Sequence, residues 1–190
     1  MLDEILRYRK AFEDHKNFVH SILTDKHAYF PNEAKVDAGI IDLVMAIDAL
    51  PFASTFCSCS SHFFTREDIF KKAGHRDESL LVIPYEGYGM YFSGYIGLVF
   101  GQDALSRNLI SDYEAIVMKY GDAYIETWSP LIPVASKELS GLRFEIHLDN
   151  AKPHYGMPAI FEISQGQSRL QNVNSLIEDL LKKALEYTQF

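Results

Sequence analysis

The chain is poor in cysteine, short of positive charge, and without a long uncharged apolar run. Its two cysteines, Cys57 and Cys59, stand two positions apart on what reads as extended chain. Side chains at i and i+2 share one face of a strand, and a bond between such near neighbours is strained. Reduced thiols are therefore expected, not a disulfide framework. Eighteen Lys and Arg against 26 Asp and Glu leave a net charge of −8. That balance weakens attraction to polyanions and disfavours a nucleic-acid partner such as tRNA. The small basic groups Arg7-Tyr8-Arg9-Lys10, Lys71-Lys72 and Lys182-Lys183 read as solvated helix faces. The longest apolar run, residues 39–50, carries Asp42 and Asp48, which argues against a membrane span. The start, Met1-Leu2-Asp3-Glu4, is acidic and leads into an amphipathic pattern, not a signal peptide. Cytoplasmic residence and no membrane partner are the expectation.

What is present suits an ordinary globular protein. The 190 residues are 47% hydrophobic and 23% charged, and a chain of that length can bury a core without disulfides or a structural metal. Helical spacing of Leu2, Ile5, Leu6, Phe12, Val19, Ile22 and Leu23 predicts a first helix, with a break near residues 14–17. A second helix is expected over 35–49, stopped by Pro51. Strands follow from the apolar or alternating pattern at 52–58, 80–83, 95–100, 123–128, 142–148 and 159–163. A short helix at 65–70, a longer one at 102–120 closed by Gly121 as a left-handed cap, and a last one at 170–187 complete the pattern. Residues 86–94, rich in glycine and tyrosine, suit a hairpin or flap. Helices bracketing five or six strands, several joined without a helix between them, predict a single α+β domain over residues 1–190. Its sheet is expected to be mixed or mainly antiparallel and packed with helices.

Two stretches carry residue types capable of chemistry. The first is Phe56-Cys57-Ser58-Cys59-Ser60-Ser61-His62. Ser58, Ser60 and Ser61 suit a tight turn whose hydroxyls and amides bind a small polar or nucleotide-like ligand. Cys59 and His62 are the catalytic candidates there, since a thiol needs a neighbouring base or positive charge to act as a nucleophile. Cys57, Cys59 and His62 also form a possible zinc set, with His75 as a fourth ligand, although Cys-x-Cys is not the usual zinc knuckle. The remaining alternative is a non-enzymatic interaction protein in which the segment merely buries a strand. The second stretch is Arg143, Glu145, His147 and Asp149, which alternate with Leu142, Phe144, Ile146 and Leu148. Alternation places the four polar residues on one face, either as the solvent side of the sheet or as part of a site. In the second case Arg143 and Glu145 bind ligand and His147 joins the catalytic group. Tyr85, Tyr88, Tyr91 and Tyr95 with Phe92 offer rings for stacking or simply a core hairpin.

From Val36 to His62 a helix, a short turn, Thr55 and then Ser58-Cys59-Ser60-Ser61-His62 follow one another. This stretch resembles the wybutosine-synthesis tRNA methyltransferases, whose motif reads Ser-Ser-Cys-Ser-Gly-Arg. Ser58, Cys59 and Ser60 match its centre, Ser61 stands for the glycine, and His62 stands for the arginine. The outline is also similar to uncharacterised proteins with a Ser-Cys-x-Gly-His loop. The resemblance implies the α+β fold of that methyltransferase family, with S-adenosylmethionine and tRNA as ligands. Histidine in place of arginine removes a fixed charge suited to phosphate.

Overall fold

In the computed structural model the described residues are 2–24, 37–73, 84–101, 103–127, 143–151 and 158–189. Along them run α1 (Leu2–Thr24), α2 (Ile41–Ala49), β1 (Ala53–Cys59), β2 (His62–Thr65), α3 (Arg66–Ala73), β3 (Tyr88–Phe92) and β4 (Tyr95–Phe100). Then come α4 (Ala104–Val117), β5 (Tyr124–Glu126), β6 (Arg143–His147), β7 (Ala159–Glu162) and α5 (Ile163–Tyr187). The fold is α+β, as the pattern of elements predicts. The strands form two antiparallel sheets, not one block: β1-β4-β6-β5 and β2-β3-β7.

One face of the four-stranded sheet makes the main core. Ile96, Leu98 and Phe100 of β4 and Phe144 and Ile146 of β6 pack against Leu43 and Ile47 of α2. Leu109 and Tyr113 of α4, with Val173, Leu176 and Leu180 of α5, close the same core. Ile96, Leu98, Ile146 and Leu176 are wholly excluded from solvent. Each such side chain contributes about 1.5–3 kcal/mol by leaving water. On the opposite face α1 lies over β1, where Tyr8 and Phe12 pack on Val99 and Phe56. The Tyr8 hydroxyl donates to the Phe100 carbonyl, and His15 Nε2 lies 3.0 Å from the Thr55 carbonyl oxygen.

The two sheets share one bent ribbon. β1 and β4 pair down to Cys59 opposite Tyr95, and β2 and β3 pair from His62 opposite Phe92. Ser60-Ser61 and Ser93-Gly94 therefore face each other at the bend. The Gly94 amide donates to Ser61 Oγ at 2.8 Å. A Cβ at Gly94 would stand 2.4 Å from the Cys59 carbonyl oxygen and 2.5 Å from the Ser61 nitrogen, so only glycine fits there. The serine-rich segment is thus a joint between sheets.

Several expectations need correcting. α1 runs unbroken through residues 14–17, where His15 and Lys16 are anchored on Thr55, Asp48 and Ala53. Within the described residues the second helix begins at Ile41, after a turn closed by Ile40 N to the Asp37 carbonyl. β2, absent from the expected elements, is a four-residue strand whose pairing with β3 is a long-range contact that local pattern does not show. α5 starts at Ile163, before the expected 170, and its first turns pass the Phe63 ring at Gly166, where a Cβ would lie 2.1 Å from that ring. Gly121 is not a left-handed cap: α4 ends at Val117, capped by Met118 at φ −60°, and the positive-φ glycine among the described residues is Gly87. The expected strand at 80–83 lies outside the described residues. Among those described, no helix is long and apolar enough to cross a membrane.

Candidate functional site

The joint between the sheets meets the turn before α2 and makes a polar corner. Asp37 Oδ2 lies 2.5 Å from His62 Nε2, with the imidazole donating to the carboxylate. The Gly39 amide donates to Asp37 Oδ1 at 3.3 Å, and the Ser60 hydroxyl also donates to this carboxylate. The Cys59 thiol donates to the Ser60 carbonyl at 3.3 Å. The His62 ring stacks on Phe64 with centroids 5.7 Å apart. One ligand-type atom from each of Asp37, Cys59 and His62 lies within 4.8 Å of the others. The side chains of His62 and Asp37 are 38% and 22% exposed, so a solute can reach the corner.

Electrostatics fix the protonation of two of these groups. Burial pulls the Asp37 pKa upward, but the hydrogen bonds from Ser60 and Gly39 and the neighbouring His62 outweigh it. The carboxyl is left below its ordinary range and ionised at neutral pH. Burial, and then the charge of Asp37, push the Cys59 thiol up. Cys59 is therefore a protonated thiol, not a ready thiolate nucleophile.

A polar field continues across the sheet from this corner. Strand register lines up Cys59, Tyr95, His147 and Tyr124 in one row, and Cys57, Gly97, Glu145 and Glu126 in the next. Tyr124 stacks on His147 with ring centroids 4.4 Å apart and planes within 4°. His147 Nε2 lies 3.5 Å from Glu126 and 3.6 Å from Glu145. Glu145 is wholly buried and His147 nearly so, which overturns the reading of this face as the solvent side of the sheet. Burial, with the nearby Cys57, Cys59 and Glu145, pushes the Tyr95 hydroxyl up to about 12. Burial, Glu126 and Glu145 shift Tyr124 the same way. Both phenols stay neutral and can donate hydrogen bonds.

The expected site residues separate into three groups. Cys59, Ser60 and His62 meet at the corner, joined by Asp37. Glu145 and His147 lie on the polar face, His147 in the row of Cys59 with Tyr95 between them and Glu145 one row further; two strand spacings amount to roughly 10 Å. Ser58 and Ser61 belong to the scaffold. Ser58 pairs with Ile96, so it points to the helix-covered face. Ser61 takes the Gly94 amide and bonds Tyr91, whose hydroxyl donates to Asp149 at 3.3 Å. Asp149 lies beyond β6 and is held by Arg169 at 2.7 Å and the Ala151 amide at 2.6 Å. Arg143 pairs with Val99 at the far end of β6 from the corner, and its side chain lies outside the described residues. Cys57 stands one row from the corner, beside Gly97, where a bulge at Phe56 brings both side chains over the glycine. His75 lies outside the described residues.

Asp37, Tyr124 and Glu126 were missing from the expected site, and Tyr95 stood there only as one of several rings for stacking or a core hairpin. Asp37 reads as the wet side of a helix, and only its fold against Ser60 reveals it. Tyr95 and Tyr124 follow from register alone, which needs the strand order.

No family model matches the chain, and no curated protein matches it. Its fold is similar to that of a solved structure, the PH1069 protein from Pyrococcus horikoshii, with a TM-score of 0.50. The likeness spans 96% of this chain and 97% of that one at 14% sequence identity, so it bears on fold alone.

Proposed function

We propose that the chain binds a small polar, nucleotide-like ligand in the corner formed by Asp37, Cys59, Ser60 and His62, with the polar sheet face as its bed. The observation that carries this reading is the convergence of an ionised carboxylate, a thiol, a hydroxyl and an imidazole at a solvent-reachable joint. Asp37 is suited to accept hydrogen bonds from sugar hydroxyls, and His62 presents a ring already stacked on Phe64. Tyr124, 40% exposed, offers a flat surface for a base.

The reaction class that the family resemblance implies is methyl transfer from S-adenosylmethionine to an RNA base. Asp37 falls inside the resembling stretch, so the corner and the motif are one feature. S-adenosylmethionine held at Asp37 and Ser60 would supply an electrophilic methyl group to a nucleophilic atom of the base, whose displaced proton would go to solvent. The chain's part is to orient the two ligands and exclude water. A net charge of −8 gives little general affinity for a polyphosphate backbone. A tRNA partner would therefore be held through its base, not its length.

Calorimetry with S-adenosylmethionine, S-adenosylhomocysteine and adenosine monophosphate tests both levels. Binding of any of them that weakens about tenfold or more in Asp37→Asn and Ser60→Ala, about 1.4 kcal/mol, supports the site. Ser58→Ala should leave it unchanged. Preference for the two sulfur-containing ligands supports methyl transfer; equal binding of adenosine monophosphate leaves a nucleotide-binding protein. No binding at millimolar concentration removes the reading and leaves an interaction protein.

A further inference from the structure

The same corner has a second capacity that does not rest on an organic ligand. We infer that Asp37, Cys59 and His62 form a binding site for a divalent transition metal of the zinc class, with a further coordination position left to water or a ligand atom. The three side chains offer one carboxylate oxygen, one sulfur and one imidazole nitrogen. They are the one such group of three among the described residues whose ligand atoms lie within 4.8 Å of one another.

The geometry is close to what an ion requires. Bonds of roughly 2.0–2.3 Å in a tetrahedral zinc centre put neighbouring ligand atoms about 3.3–3.6 Å apart. Asp37 and His62, now 2.5 Å apart, must separate by about an ångström on that geometry, and the sulfur lies within 4.8 Å of both. Asp37 stands in the turn before α2, His62 is the first residue of β2, and both are partly exposed. A sulfur, an imidazole and a single carboxylate favour zinc or cobalt over magnesium or calcium, which prefer oxygen throughout.

The surroundings hold the ligands before an ion arrives. The Gly39 amide and the Ser60 hydroxyl orient Asp37, and Phe64 stacks on the His62 ring. An entering cation takes the Cys59 sulfur as thiolate, releasing its proton to solvent, and takes His62 Nε2 once exchange with solvent leaves the ring proton on Nδ1. Cys57 is not part of the set: its sulfur packs against Gly97 in the next row. Three protein ligands leave a position open, the arrangement of reactive zinc centres and not of closed structural ones.

The test is cobalt titration of the full chain, purified without an affinity tag and kept reduced. We expect one Co²⁺ per chain and a near-ultraviolet thiolate charge-transfer band, displaced by stoichiometric Zn²⁺. The band should vanish in Cys59→Ser and persist in Cys57→Ser. In His62→Ala and Asp37→Asn it should form with affinity lowered more than about tenfold. No band in the wild-type protein overturns the inference, whatever the variants do. So does a band that survives Cys59→Ser or is lost in Cys57→Ser. Circular dichroism melts identify any variant that fails to fold, and the wild-type titration decides without it. Because no nucleotide is present, a failed titration leaves the ligand reading untouched, and a failed calorimetric screen leaves the metal site untouched.

Discussion

The two faces of the four-stranded sheet are built from the same strands and do opposite work. On one face Ile96, Leu98, Phe144 and Ile146 are sealed by α2, α4 and α5. On the other, Cys57, Cys59, Tyr95, Glu145 and His147 form a polar field that leads to the Asp37–His62 corner. A sheet needs only one apolar face for stability. Burying phenols and a thiol on the second costs desolvation, which here raises the pKa of Tyr95, Tyr124 and Cys59. Stability and site are thus separated by the thickness of one strand, and residues one position apart should respond differently to substitution.

The largest expected effects lie on the apolar face. Ile146→Ala and Leu98→Ala should each lower the unfolding free energy by about 2–5 kcal/mol, measured by urea denaturation. A loss below about 1 kcal/mol would break the division between the faces. At the joint, Gly94→Ala should cost about 1–3 kcal/mol, because its Cβ meets backbone atoms that cannot turn aside. It should also displace Cys59 and Ser61, so ligand affinity falls with stability. On the polar face, Tyr124→Ala should leave the melting temperature nearly unchanged. It should weaken nucleotide binding by about 1–3 kcal/mol, the value of a stacked base; an effect on stability alone would count against the bed.

The smallest effect concerns how α1 is held over the polar side of β1. Burial lowers the His15 pKa from its ordinary 6.5, only partly offset by its bond to the Thr55 carbonyl. The unfolded chain then binds the proton more readily than the folded one. This contribution to stability is present above pH 6.5 and is lost as pH falls from there through the lowered folded value. His15→Gln should flatten this part of the stability profile below neutral pH. An unchanged slope would show that α1 is not held through His15.

Local pattern made the elements legible where period and turn chemistry agree. β4 was expected over 95–100 and is found there, because Gly94 and Gly101 bracket an apolar run. Alternation gave β6 its two faces, while the burial of the polar one depends on neighbouring strands that alternation does not reveal. The segment 56–62 stood out by its residue types, and Cys59, Ser60 and His62 do meet there. Asp37 did not stand out, because its role comes from a turn folding back on residues more than twenty positions away. Ser58 and Ser61 looked equivalent to Ser60, but strand parity turns Ser58 to the core side, and Gly94 and Tyr91 claim Ser61.

The central claim is that the corner and the polar face form one binding surface. Backbone amide chemical shifts, followed while S-adenosylmethionine or adenosine monophosphate is added, test it most directly. The account predicts saturable changes at Asp37, Cys59, Ser60 and His62 that extend to Tyr95, His147 and Tyr124 and are lost in Asp37→Asn. Changes confined to the cavity of about 600 Å³ between α1 and the β1–β4 edge, lined by Tyr8, Phe12, Lys16 and Phe52, would contradict it. So would no change at all.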